Sequence, residues 1–222
     1  MNFDMSISEN IKTFKKQLPE SVTLVAVSKT KPVADIQEAY DTGHRDFGEN
    51  KVQEMETKWE KLPKDIRWHM IGHVQRNKVK YMAPFVHLIH AIDSPRLLKE
   101  INKQAKKAER VIHGLLQIKI AEEDSKFGLS IEDAEALLAS EAYQNYEHVK
   151  IIGLMGMATF TEDMEQVRRE FQQLKTVYDR LKDSNNFNTL SMGMSGDYEI
   201  ALQKDTTMVR VGSAIFGERN YS

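Results

Sequence analysis

Short apolar runs rich in β-branched residues alternate along this chain with longer charged stretches whose apolar positions recur at helical spacing. The runs at 22–27, 86–92, 111–120, 149–154 and 208–211 predict strands, and weaker strands are predicted at 44–47, 68–71 and 187–192. Helices are predicted over 33–42, 51–60, 94–109, 131–140 and 163–183, with an opening helix over 8–17. Asp93-Ser94-Pro95 puts a capping side chain before a first-turn proline, and Ser130 is followed by Glu132 and Asp133 at the next helix start. Eight strand candidates, each followed by a helix or helical turn, allow a closed barrel or a doubly wound open sheet. No glycine-rich dinucleotide fingerprint and no GxxxxGKS/T motif follows any strand, which weakens the open sheet. The expected architecture is α/β: a single (β/α)8 TIM barrel with an extra N-terminal helix, residues 1–222 forming one domain. A barrel typically takes about 250 residues, so the loops must be short.

Composition narrows the function. Apolar residues make up 41% and charged residues 29% of the 222, enough for a packed core and too ordered a mixture for a disordered chain. The net charge of −2 lacks the basic excess of a nucleic-acid or membrane-surface binder. With no cysteine there is no disulfide, thiolate metal site or cysteine nucleophile. The N-terminus has no apolar signal-peptide core and no run reaches membrane-spanning length, so a cytoplasmic protein is expected.

In a barrel, function collects at the carboxyl ends of the strands. The first strand runs directly into Ser28-Lys29-Thr30-Lys31. A lysine where the apolar core meets a pocket is partly desolvated, which favours the neutral amine that attacks an aldehyde. A solvated loop lysine is the plainer alternative, and the other strand ends bear on the choice. Arg210 has valine on both sides on the last strand, so it points inward if the valines point out, and a buried guanidinium requires an acceptor. Gly212 opens the backbone to a ligand, and Ser213 adds a hydroxyl. The strand before it ends in Met192-Gly193-Met194-Ser195-Gly196, a second candidate anion cup. An amine, an anion cup and an inward arginine are what a phosphorylated aldehyde needs.

These blocks resemble the pyridoxal phosphate homeostasis protein family, relatives of the barrel domain of alanine racemase. The matching text is VAVSKTKP at 25–32, FGENKVQE at 47–54, WHMIGHVQRNK at 68–78, IDSPRL at 92–97, SKFGL at 125–129, GLMGMA at 153–158, SMGMSGD at 191–197 and VRVGSAIFG at 209–217. The resemblance implies pyridoxal 5'-phosphate held as an aldimine on Lys29, with Ser195, Gly212 and Ser213 on its phosphate and Arg210 facing the pyridine nitrogen. It also implies that Asn50 and His69 line the ring side of the pocket. Met155, Met157 and Met194 are expected within reach of the cofactor. Two positions depart from the family's pattern: Asp205 stands where glycine is usual before the last strand, and Val74 where leucine is usual.

A cation opposite the ring nitrogen keeps it unprotonated and the electron sink weak. The resemblance to alanine racemase sharpens this, since that enzyme adds a tyrosine base from a separate C-terminal domain, which a chain ending at Ser222 is expected to lack. Of the seven tyrosines, Tyr198 comes nearest a strand top. Missing a positioned base costs roughly a hundred- to ten-thousand-fold in rate. A non-catalytic carrier and regulator of cofactor and of amino-acid and keto-acid balance is therefore expected, with pyridoxal-phosphate-requiring apo-enzymes as partners and a monomeric state. A minor racemase and a cofactor-signalled interaction protein are the alternatives. Lys31 and Lys126 are candidate second amines for loading or release. His69 with His73 lacks the zinc-protease pattern, and His87 and His90 are expected on opposite strand faces, so no metal is expected. Lys99, Lys103, Lys106, Lys107 and Arg110 are read as a solvated helix face, without the interleaved aromatics of a nucleic-acid binder.

Overall fold

The computed structural model describes residues 6–122 and 127–217. Eight parallel strands close into a barrel in sequence order, with β8 returning to pair with β1. Along the chain the elements are α1 (Ile7–Gln17), β1 (Thr23–Val27), α2 (Val33–Asp41), β2 (Asp46–Glu49), α3 (Val52–Lys61), β3 (Arg67–Met70), α4 (Val79–Met82), β4 (Leu88–Ile92) and α5 (Pro95–Lys107). They continue with β5 (Ile112–Gln117), α6 (Ile131–Ala139), α7 (Glu141–Gln144), β6 (Val149–Met155), α8 (Met164–Asn185), β7 (Thr189–Met194), α9 (Tyr198–Leu202), β8 (Met208–Val211) and α10 (Ser213–Phe216). Among the described residues no helix is long and apolar enough to cross a membrane.

Local chemistry explains the helix starts. Ser6 and Glu9 form a reciprocal capping box on α1, the Ser94 hydroxyl accepts the Leu97 amide with Pro95 in the first turn of α5, and Ser130 caps α6 through the Asp133 amide. The core lies mainly between sheet and helices, where Phe47, Trp68 and Phe171 are fully buried. A smaller apolar cluster inside the barrel contains Val25, Leu88, Ala91, Leu115, Met155 and Met208.

The strand limits differ from the apolar runs in an instructive way. Val86 is buried, but its amide bonds to Met82 O at the end of α4, so β4 starts only at Leu88. The run at 111–120 yields a strand over Ile112–Gln117, because beyond it Ile118 makes only an isolated bridge to Leu129 while still packing in the core. The weak runs at 44–47 and 187–192 form strands two residues further on, Asp46–Glu49 and Thr189–Met194. A strand ends where its ladder partner ends, and an apolar run reports only burial.

Two other expectations change. His87 precedes β4, and its ring packs against His69 at 5.4 Å while His90 meets the same ring at 5.2 Å, so the two histidines are not held apart on opposite strand faces. Arg110 is not part of a solvated face, since its guanidinium donates to the Ala83 and Val86 carbonyls at 2.7 and 2.9 Å.

Asp205 adopts φ +55°, a left-handed conformation that glycine takes without penalty and aspartate tolerates. Gly153, on β6, lies so close to β7 that an added Cβ would sit 1.7 Å from Thr189 O. We expect Asp205→Gly to be neutral or stabilising by up to about 1 kcal/mol, and Gly153→Ala to cost about 3 kcal/mol because the clash is with backbone. Urea denaturation of the two variants beside the parent measures both.

Candidate functional site

At the carboxyl ends of the strands lies a cavity of about 680 Å³. Lys29, Asn50, Met194, Ser195, Arg210, Gly212 and Ser213 all line it. His69 does not: it is 1% exposed in the barrel interior, bonded to Asp46 and His90, and it is Ile71, two residues further along, that reaches the cavity. Met157 lines the cavity, whereas Met155 is buried in the interior apolar cluster.

Lys29 is half-buried on a tight turn closed by the Lys31 amide on Ser28 O at 3.0 Å. Thr30 takes φ +65°, unusual for a β-branched residue and costing roughly 1–2 kcal/mol. A buried network behind the turn holds this conformation. The Glu54 carboxylate accepts the Thr30 amide at 2.5 Å, and the Lys58 ammonium donates to Ser28 O, Glu49 Oε1 and Glu54 Oε1 at 2.8, 2.8 and 2.7 Å. The Ser28 hydroxyl donates to Glu49 Oε1 at 2.6 Å, leaving Glu49 Oε2 buried without a hydrogen-bond partner. Burial pushes the Glu49 carboxyl up to about 7, against the opposing pull of Lys58.

At the opposite end of the cavity two turns meet. Gly193 has φ +94°, and a Cβ there would strike Ala201. The turn that follows is closed by the Met194 amide on Asp197 Oδ1 at 2.5 Å and the Asp197 amide on Met194 O at 3.1 Å. Ser195 Oγ accepts the Gly212 amide at 3.2 Å, joining the ends of β7 and β8. The hydrogen bonds that close α10 come from the Ile215, Phe216 and Gly217 amides, so the Ser213 and Ala214 amides are not used by the turn itself. Lys31, expected as a second amine, does line the cavity, but its ammonium donates to Phe216 O and Gly217 O at 2.8 and 3.1 Å and so ties the first loop to the last. Lys126 lies outside the described residues.

Arg210 forms the floor. It is 3% exposed, with Nη1 donating to Ser191 Oγ at 2.5 Å and Nη2 to Gly156 O at 3.1 Å. Its flanking residues Val209 and Val211 pack outward against the helices. Burial lowers its pKa to about 10, which still leaves a cation at neutral pH.

Sequence reasoning missed much of the mouth. Ile71, Gly72, His73, Gln117, Phe127 and Phe160 also line the cavity. His73 stacks on Phe127 at 4.2 Å and bonds to Asp93 Oδ2 at 2.9 Å, and Gln117 Nε2 holds Phe127 O at 2.9 Å. Their position at the ends of β3 and β5 was the available clue. The Lys58–Glu49 network carried none, because a lysine in a charged helical stretch reads as solvated.

A lysine, a buried cation at the floor and an amide-lined double turn share one cavity at the strand ends, the arrangement of a (β/α)8 barrel with a strand-end ligand site. The chain matches the family described as alanine racemase, N-terminal domain, over residues 5–220. It is 39% identical to the pyridoxal phosphate homeostasis protein of Pasteurella multocida over 225 residues, covering 97% of this chain and 96% of that one. It is 40% identical to the protein of the same name from Aquifex aeolicus over 201 residues, covering 89% and 87%. This chain belongs to the pyridoxal phosphate homeostasis protein family. Among solved structures, PipY of Synechococcus elongatus with PLP bound superposes with a TM-score of 0.86 at 34% identity, covering 95% of this chain and all of that one. Alanine racemase from E. faecalis, at 16% identity and a TM-score of 0.73, shares the fold over 58% of its length.

The raised Glu49 carboxyl makes stability depend on pH. The native state holds this proton more tightly than the unfolded chain, so its contribution is fully present below the ordinary 4.5 and is lost as pH rises through about 7. In Glu49→Gln this descending limb should flatten in denaturation series across that window. Lys58→Met should cost about 3–5 kcal/mol above the Glu49 pKa, by leaving carboxylates buried without their cation, and less where Glu49 is protonated.

Proposed function

We propose that the chain binds pyridoxal 5'-phosphate through the Lys29 amine and serves intracellular vitamin B6 homeostasis, and with it amino-acid and keto-acid balance, as a carrier rather than as an enzyme. The observation that carries this reading is the shared cavity: Lys29 at one end, the Ser195 and Gly212–Ser213 turns at the other and buried Arg210 between them. When bound, the cofactor supplies an aldehyde that condenses reversibly with amines, releasing water. Lys29 is the amine on the cavity lining that sits in the turn strained at Thr30. Small residues at Gly196 and Gly212, with the free-standing Ser213 and Ala214 amides and the Ser195 hydroxyl, suit a phosphate. Asn50 and Met194 flank the ring. His69 acts from beneath the cavity and not on its wall.

The cation at the floor favours a carrier. Arg210 donates hydrogen bonds and offers no carboxylate to keep a ring nitrogen protonated, so the cofactor remains a weak electron sink. Lys31 is occupied by two carbonyls. The names of the relatives, homeostasis proteins, point the same way. In this reading residues 1–222 work as one cytoplasmic unit, monomeric, with apo-enzymes as recipients. Slow racemisation is the second reading. It rests on His73, which lines the cavity and is oriented by Asp93 as a general base would be.

Purified protein should be yellow, and borohydride should fix the cofactor to the peptide containing Lys29, with no fixation in Lys29→Ala. A colourless protein, or stoichiometric labelling elsewhere, defeats the assignment. Incubation with L-alanine in deuterated water separates the two readings: retained protium supports the carrier, whereas rapid deuterium entry that disappears in His73→Ala supports the enzyme.

A further inference from the structure

Barrel interiors are normally filled with branched apolar side chains. Here the interior also holds Asp46, His69, His90, Ser191 and Arg210, all buried and touching one another in a single file. Arg67, the first residue of β3 and 46% exposed at the amino-terminal face, pairs with Asp46 on β2 at 2.5 Å. Asp46 Oδ1 contacts His69 Nε2 at 3.1 Å, His69 Nδ1 contacts His90 Nε2 at 2.9 Å, and His90 Nδ1 contacts Ser191 Oγ at 3.0 Å. Ser191 Oγ accepts from Arg210 Nη1 at 2.5 Å, and Arg210 lines the cavity on the carboxyl-terminal side. Asp46, His69, His90, Ser191 and Arg210 thus run from one face of the barrel to the floor of the site on the other.

The hydrogens in this file follow from its ends. Burial alone would raise the Asp46 carboxyl, but hydrogen bonds from Arg67 and His69 outweigh it and hold it well below the ordinary range. Asp46 is therefore an acceptor, and His69 must carry its proton on Nε2. Burial, helped by the neighbouring His69, Arg210 and His87, holds His90 well below its ordinary pKa, so it is neutral. Where His69 Nδ1 accepts from His90 Nε2, His90 Nδ1 is left to accept the Ser191 hydroxyl proton. Ser191 Oγ is then left to accept from Arg210. Every hydrogen has an acceptor. In the other arrangement His69 donates from Nδ1, His90 donates to Ser191, and the serine hydroxyl, which among the described residues contacts His90 and Arg210, must give up its bond to His90 and turn away from the file.

We propose that Asp46, His69, His90 and Ser191 are positioning residues for the cofactor site, forming a one-way hydrogen-bond relay through which an anion on the far face of the barrel keeps the Ser191 oxygen free to accept from Arg210. The buried guanidinium donates to Ser191 Oγ and Gly156 O, and the charge of Asp197, on the cavity lining, favours its cationic form. The relay holds one of those two acceptors in place. This rests on the pyridoxal phosphate reading for its functional meaning, but the proton arrangement belongs to the protein alone.

The test reads the imidazole nitrogens of the cofactor-free protein by NMR in the parent, Asp46→Ala and Asp46→Glu, then the visible band of each after loading with pyridoxal 5'-phosphate. In the parent both His69 and His90 should carry a proton on Nε2 and none on Nδ1. In Asp46→Ala, His69 is released to protonate on Nδ1, and His90, which Asp46 does not touch, should move to its Nδ1 form with it; the visible band should shift. Asp46→Glu should restore both. An Nδ1 proton on either ring of the parent overturns the proposal, even where the alanine variant does not fold. So does a His90 ring or a visible band unmoved in Asp46→Ala, since a purely local role for Asp46 would alter His69 only. A parent that binds no cofactor but shows the expected protons defeats the cofactor reading and leaves the relay standing.

Discussion

Closure of β8 onto β1 is the constraint on which everything else in this molecule depends. Val25 pairs with Arg210 and Ala26 with Val211, so the residue that follows β1 by two, Lys29, comes to share a rim with Gly212 and Ser213. The amine and the turns opposite it come from the two ends of the chain. Neither is useful without the other, and only a ladder of parallel strands, each set by its neighbour, brings them together. Two further ties reinforce the seam: the Lys31 ammonium on the carbonyls that end α10, and Asn10 of α1, whose amide holds Ile215 O at 2.9 Å. The extra N-terminal helix thus packs beside α2 and α10 and pins the last turn.

Polar groups on both sides of the sheet prepare the site. Outside the barrel, Lys58, Glu49 and Glu54 hold the strained turn at Thr30 from behind. Inside, the file from Asp46 to Arg210 occupies space that branched side chains usually fill. Each system is costly if incomplete, because an unpaired polar group in a low-dielectric interior loses its hydration without replacement. Such networks contribute little net stability compared with an apolar core, and what they add is geometry. Here that geometry fixes the turn that carries Lys29 and the guanidinium of Arg210, both on the cavity lining.

The mouth of the cavity has a different character from its floor. Phe127, Phe160 and Met164 are exposed large apolar side chains on its lining, interleaved with the polar His73, Thr159 and Thr161.

The periodicity of the chain by itself determined the eight strands and the main helices, because a strand or helix must bury its apolar side wherever it packs. It left a closed barrel and an open sheet both possible; the missing nucleotide-binding motifs favoured the barrel, and the pairing of β8 with β1 closes it. The periodicity also determined that Arg210 points inward, since alternation on a strand leaves no other choice once its valine neighbours face the helices. The family's motifs named the rim residues, and the glycine expected at 205 is matched by a left-handed aspartate that can bear the same turn. Only the tertiary structure decided what lies one layer deeper. His69 sits below the cavity, Lys58 is 5% exposed although it reads as a solvated helix residue, and Glu49 is fully buried with a free oxygen. Pattern reports whether a residue is covered, but a polar group's partner comes from another strand or helix at a distance along the chain that no local spacing encodes. The acceptor of each buried proton, and hence the chemistry of the site, exists only once the barrel has closed.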